Sequence, residues 1–315
     1  MMRKLIWFAF VLLFGWPAGA ATTHVANLSL PCDSYYQVPS PDGIQLAVPC
    51  KDRSLHVVSV PEGKELLVIP SERRANSIAY SRDGQWMAVG FHDGSVELVS
   101  TGGLAPSRRW QASERRIDGL YFFPDSKMLV VAPADSAGQV WDLAELPKLR
   151  ATLQFDFGGI NACAVSPDGK LLVVAGDDTV LRWYNTATWQ KTLENREFLL
   201  ETFALTFTAS GKEVLAGGAD ARITVLDAAT AKSVLQLPPE TGTYIVALDV
   251  FGEQQAAAIY LDDAGEKPPQ QQIWHLGNAK SISLADAPPT CEAVVGGKLW
   301  FCTTEGKMLH ISEYQ

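Results

Sequence analysis

Residues 165–178 read VSPDGKLLVVAGDD, and this pattern decides how the chain folds. Two apolar runs flank Pro167-Asp168-Gly169, and the second ends on Asp177-Asp178. That arrangement predicts a β-hairpin in which Asp-Gly supplies the positive φ angles of a tight turn. An isolated hairpin is barely stable in water, so other parts of the chain must cover its faces.

The turn recurs. Pro41-Asp42-Gly43, Arg82-Asp83-Gly84, Pro124-Asp125-Ser126, Pro167-Asp168-Gly169 and Ala209-Ser210-Gly211 begin 41, 42, 43 and 42 residues apart. Weaker copies follow at Phe251-Gly252-Glu253 and Val295-Gly296-Gly297, after 42 and 44 residues. An acidic column keeps the same period through Asp52, Asp93, Asp135, Asp178, Asp220, Asp263 and Glu305. Two columns sharing one period indicate an internal repeat. Each unit reads as four short strands; in the unit around 165–178 they are INACAVS, KLLVVAG, VLRWYN and WQKTLEN. Four strands per repeat of about 42 residues is the signature of a β-propeller blade. The expected fold is therefore all-β, a single seven-bladed propeller of four-stranded antiparallel blades. The last unit stops after its third strand, leaving a bare edge that invites aggregation. HVANLSL, residues 24–30, is a spare strand placed to pair there and close the ring.

The period, the SPDG turns, the acidic column and Val140-Trp141-Asp142-Leu143 together resemble the WD-repeat family over residues 21–315. Residues 221–232, ARITVLDAATAK, are equally similar to propeller repeats of the bacterial surface-layer type. The resemblance implies a structural role for the turn acids, each accepting backbone N–H bonds in its own turn.

Residues 1–20 have the layout of a signal peptide: Arg3 and Lys4, an apolar run of about a dozen residues, then Ala18-Gly19-Ala20. The run is too short to span a bilayer. We expect cleavage after Ala20, a periplasmic or secreted product, and no membrane insertion afterwards. Losing Arg3 and Lys4 takes the formal net charge from −9 to −11. So acidic a chain argues against nucleic-acid binding, which draws on a basic surface. Export permits disulfides. Cys32 and Cys50 flank the first hairpin and Cys291 and Cys302 the last, although pairing of Cys32 with Cys291 or Cys302 across the seam stays open. Cys163 is left over as a buried thiol.

In a meander of strands a, b, c and d, the d–a and b–c connections share one face and the a strands line the channel. His56, His275 and His310 fall on third strands, His24 on the closing strand and His92 beside a b–c turn. Metal binding or general-base work needs convergence that this spread lacks. No catalytic residue, metal site or cofactor is expected. One pair of segments breaks the bland pattern. Ser71-Glu72-Arg73-Arg74 and Ser113-Glu114-Arg115-Arg116 are the same tetrapeptide in successive d–a loops. Just inside come Asn76, Asp118 and Asn161, at the sixth position before each a–b turn. Arginine suits carboxylate and phosphate and is enriched in binding hot spots, so these seven residues form the candidate partner site. An extended loop on the same face is expected at Gly265–Gln272. The function expected is a non-catalytic scaffold, monomeric on its own, binding a protein of the cell envelope. The alternatives are a lactonase-like or oxidoreductase propeller, or a sensor for a small anion.

Overall fold

The hairpins form because each turn carries its own hydrogen-bond partners. The structure is a computed structural model and describes residues 22–34, 36–70, 72, 74–103, 106–238, 243–251, 254–262, 270–283, 289–295, 298–305 and 307–314. Ser40, Ser81 and Ser166 donate through Oγ to Asp42, Asp83 and Asp168 Oδ1 at 2.6, 2.6 and 2.7 Å. The same carboxylate oxygens accept the N–H groups of Ile44, Gln85 and Lys170 at 3.2, 3.1 and 3.1 Å. Backbone groups that a tight turn would leave unpaired are thereby satisfied.

The turn type differs from expectation. Gly43, Gly84 and Gly169 adopt φ of +73°, +68° and +73°, but the aspartates before them stay out of the left-handed region. Each loop is a type I turn followed by a left-handed glycine. The single costly conformation falls to the residue without a Cβ. Ser126, at φ +60°, takes that place in the third unit.

Seven four-stranded antiparallel sheets result. Their a strands are Val38–Pro39, Ala75–Tyr80, Ile117–Phe122, Ile160–Val165, Thr202–Phe207, Thr243–Phe251 and Pro289–Val295. These strands touch their neighbours in order, and that of blade 7 meets that of blade 1, so the ring closes. The b strands are buried almost throughout, as at Trp86–Phe91 and Leu171–Gly176. Both of their faces are covered by neighbouring blades, hence their unbroken apolar runs. The outer strand Glu65–Ile69 alternates instead, because one face meets water. Core clusters lie between blades; Val173 and Trp183 of blade 4, for example, pack on Leu205, Phe207 and Val214 of blade 5.

The seventh sheet runs Pro289–Val295, Lys298–Glu305, Met308–Tyr314 and finally Thr22–Ser29, as the spare strand implied. Leu28 faces Leu309 there, and both join Leu46 and Val48 of blade 1 in one cluster. Each such leucine contributes about 2 kcal/mol on burial. A disulfide joins Cys32 to Cys50 with the Cα atoms 5.7 Å apart, tying the exit of the closing strand to blade 1. Cys302 is disulfide-bonded and stands opposite Cys291 in the ladder; the Cys291 side chain lies outside the described residues. Cys163 is buried and free, and burial pushes its thiol pKa up.

The extended loop is shorter than expected. Gln270, Gln271 and Gln272 belong to strand Gln270–His275 and pair with Tyr260, Ile259 and Ala258. Glutamine has little strand preference, but the ladder imposes one here. Residues 263–269 and the signal-like residues 1–20 lie outside the described residues.

Candidate partner-binding face

Asn76, Asp118 and Asn161 share a structural device. In blades 2 to 7 the a–b ladder slips by one residue, after its first pair in five of them and after its third pair in blade 6. The residue skipped is Asn76, Asp118, Asn161, Phe203, Val246 or Thr290, each in a β-bulge that frees it from strand alternation. Asn76 Nδ2 donates to Ile117 O at 2.9 Å and to Asp118 Oδ1 at 3.0 Å, stitching blade 2 to blade 3. Arg116 then donates through Nε to Asp118 Oδ1 at 2.7 Å, and this bond raises its pKa. Asn76, Asp118 and Arg116 are thus one cluster. Asn161 stands apart, with no partner for its buried Nδ2 among the described residues.

The duplicated loops divide differently from their sequences. Arg115 reaches Asp135 at 3.7 Å, so neither Arg115 nor Arg116 pairs with the glutamate of its own tetrapeptide. Arg73 lies outside the described residues. Arg74 borders a cavity of ≈ 620 Å³ beside Tyr36 and Asn76.

The acidic column is heterogeneous in its contacts. Asp52, Asp93 and Asp220 accept the N–H two residues ahead, each at 3.0 Å. Asp135 instead adopts φ +46° and faces Arg115. Asp178 forms a buried pair with Arg182, at 2.6 and 2.9 Å, and accepts the N–H groups of Asp156 and Val180 at 2.8 and 3.2 Å. Burial pushes the Asp178 carboxyl up, but Arg182 and the two amides more than offset it and hold the pKa below the usual range. Asp263 and the Glu305 side chain lie outside the described residues.

On blade 1, Ser54 Oγ lies 3.0 Å from His56 Nε2, and His56 Nδ1 lies 2.6 Å from Glu65. The line resembles a nucleophile, base and acid. However, Ser54 gives its proton to Asp52 at 2.6 Å, so the imidazole has none to take from it. Among the described residues, no group of three or more histidines, cysteines and acids could hold a metal ion.

The family described as WD domain, G-beta repeat matches residues 63–99 and 147–185. The whole ring superposes on a chain from the crystal structure of a mitotic checkpoint complex with a TM-score of 0.78, covering 100% of this chain and 99% of that one at 17% identity. The chain is a seven-bladed β-propeller with WD repeats at residues 63–99 and 147–185. Among curated proteins it is similar to SEC12-like protein 1 of Arabidopsis thaliana, 24% identical over 53% of this chain and 43% of that protein. It is also similar to THO complex subunit 3 of the same plant, 24% identical over 47% of each. A periodic tryptophan protein 2 homolog of Dictyostelium discoideum is 29% identical over 39% of this chain and 13% of that protein. The matches span less than half the length of each relative.

Two features of this propeller's face are silent in its sequence pattern. Phe157, Leu199 and Leu200 are 64%, 89% and 50% exposed, in the d–a loops that enter blades 4 and 5. They continue the arginine arc rather than standing apart. Gly159 packs on the Asp135 turn, which holds Arg115, and Asp156 pairs with Arg196 at 3.3 Å beside the Leu199 loop. The other feature is Lys51 and Arg53, which share the Arg74 cavity. Both sit in a b–c turn of blade 1, beside an acid whose role dominates any local reading. A second column of turn caps was also missed. Asp142, Asn185 and Asp227 close strand c by accepting the N–H two residues on, at 2.9, 2.9 and 3.2 Å.

Proposed function

We propose that this WD propeller is a non-catalytic scaffold whose protein partner docks on the face carrying the d–a and b–c loops. WD propellers are typically platforms for protein–protein interaction. The observation that carries the choice of face is its composition: three exposed arginines, Arg74 and the exposed ion-paired Arg115 and Arg116, run on into exposed Phe157, Leu199 and Leu200. Interfaces combine such apolar anchors with arginine. The partner is acidic where it meets the arc and apolar where it meets the loops. The signal-like residues 1–20 and the disulfide chemistry of Cys32, Cys50 and Cys302 favour an exported protein, working with a partner in the cell envelope.

Quantitative capture from envelope extract tests this reading. Wild type is compared with Arg74, Arg115 and Arg116 all changed to Glu, and with Phe157, Leu199 and Leu200 all changed to Ser. A partner retained by wild type is expected to be lost at least tenfold in both variants. Equal retention by all three proteins refutes the choice of face.

A further inference from the structure

The cavity of ≈ 620 Å³ at the seam of blades 1 and 2 has charged walls of one sign: Lys51, Arg53 and Arg74. A second hollow of ≈ 400 Å³ adjoins it and shares Arg53 and Arg74, while Glu72 and Asp93 border that side alone. Arg53 and Arg74 therefore stand on the divide between a hollow whose charged residues are all cations and one of mixed charge that also holds His92. Neither Arg53 nor Arg74 makes a side-chain hydrogen bond or ion pair among the described residues, whereas Arg115 and Arg116 both do. On a protein of net charge −9, two unpaired arginines facing one cavity are conspicuous.

Arg53 occupies a position common to the b–c turns of the ring. It is held at φ +77°, in the left-handed region. The corresponding turns of blades 2, 4 and 5 fill that position with Gly94, Thr179 and Ala221. A long side chain gains nothing for the turn in that conformation and costs roughly 1 kcal/mol. The left-handed φ itself belongs to the turn, since Thr179 and Ala221 adopt it at +60° and +58°. The turn is fixed from behind: Arg53 N donates to Cys50 O at 3.0 Å, and Cys50 is bonded to Cys32. Across the cavity Tyr36 donates to Asn76 O at 3.3 Å. Burial pushes the tyrosine pKa up to about 12, so it stays neutral and does not repel an anion.

We infer that this seam pocket binds a carboxylate of an acidic residue in the partner, clasped between Arg53 and Arg74 with Lys51 beside them. The assignment rests on the scaffold reading above and narrows its partner. Planar guanidinium forks match a carboxylate, and two of them from different blades fix its position. In the adjoining hollow Glu72 and Asp93 already stand beside the same two arginines and disfavour a second carboxylate there. The preferred motif is therefore a glutamate or aspartate followed closely by a neutral or basic residue, not an acidic run.

The test uses the full mature chain labelled with ¹⁵N-arginine and followed by NMR at fixed ionic strength. The probes are the blocked peptide Gly-Glu-Gly-Lys-Gly, its Gln counterpart, its Gly-Glu-Glu-Glu-Gly counterpart and inorganic phosphate. The first peptide is expected to shift the Arg53 and Arg74 Nε–H signals saturably, at least tenfold more tightly than the Gln peptide and more tightly than the triple-Glu peptide. Arg74→Gln is expected to abolish that shift at Arg53. Arg53→Gly is expected to abolish binding while raising the melting temperature, since it relieves the left-handed strain. A shift equal for the Glu and Gln peptides, no saturable shift, or a response confined to Arg115 and Arg116 overturns the assignment. Tighter binding of phosphate than of peptide overturns it in favour of a free anion. Capture that depends on the face, combined with a silent Arg53–Arg74 pair, would leave the scaffold reading standing and remove this one.

Discussion

Replacing Asp178 with asparagine tests whether the buried pair on blade 4 is a structural element of its own. The Asp178 and Arg182 side chains are 1% and 3% exposed, and the carboxylate is bidentate on the guanidinium. Arg182 also lies 5.1 Å from the Phe155 ring centroid, so the cation sits in apolar surroundings. Asparagine keeps an acceptor for Val180 N–H but strands the guanidinium. Its nearest remaining acid is Asp156 at 3.7 Å, which is 60% exposed and so compensates weakly. Removing one partner of a buried pair costs about 3–5 kcal/mol. For a domain of this size that lowers the melting temperature by roughly 10 °C. Arg182→Met on top of Asp178→Asn removes the stranded charge. The double variant is expected to recover about 2 kcal/mol or more relative to Asp178→Asn alone. Urea unfolding of wild type, both single variants and the double variant measures this coupling. The carboxyl pKa is lowered on folding, so its contribution is complete above about pH 4 and disappears as the pH falls through the lowered value. The acid limb of the stability profile should therefore flatten in Asp178→Asn. A single-variant loss below about 1 kcal/mol, or strict additivity in the double variant, would refute the reasoning.

Two further outcomes follow from the geometry. A Cβ at Gly43 would stand 2.6 Å from the Trp300 ring and 2.7 Å from Val295, whereas one at Gly169 meets nothing within 4 Å, although both glycines have φ +73°. Gly43→Ala is thus expected to cost at least about 1 kcal/mol more than Gly169→Ala in urea unfolding, and equal losses would show that the closing seam is loosely packed. Asp249, on strand a of blade 6, has its carboxyl pushed up to about 6 by burial. The protonated form is the one that folding favours, so its stabilisation is present below about pH 4 and is lost as the pH rises through 6. Asp249→Asn should raise the melting temperature at pH 7.5 and leave it unchanged at pH 4; a lower melting temperature at pH 7.5 would contradict this.

Much of the architecture could be read along the chain because each blade is a local product. A serine and an aspartate two residues apart build the a–b turn from their own side chains, and 42-residue periodicity repeats that event around the ring. The spare strand at 24–30 could be matched to the unfinished seventh unit because an unpaired edge has a simple complement. Hydrogen-bond economy and apolar alternation act over a few residues, so sequence displays them directly. The site has no such local rule. Asn76 meets Asp118 from 42 residues away, Arg53 meets Arg74 across a seam between blades, and a one-residue bulge re-aims Asn76, Asp118 and Asn161 together. Reading residue types marked Arg115 and Arg116 as strongly as Arg74, yet folding paired the first two with acids and left Arg74 facing Arg53. Which charges are spent on neighbours and which remain for a partner depends on contacts between blades, and those exist once the ring has closed.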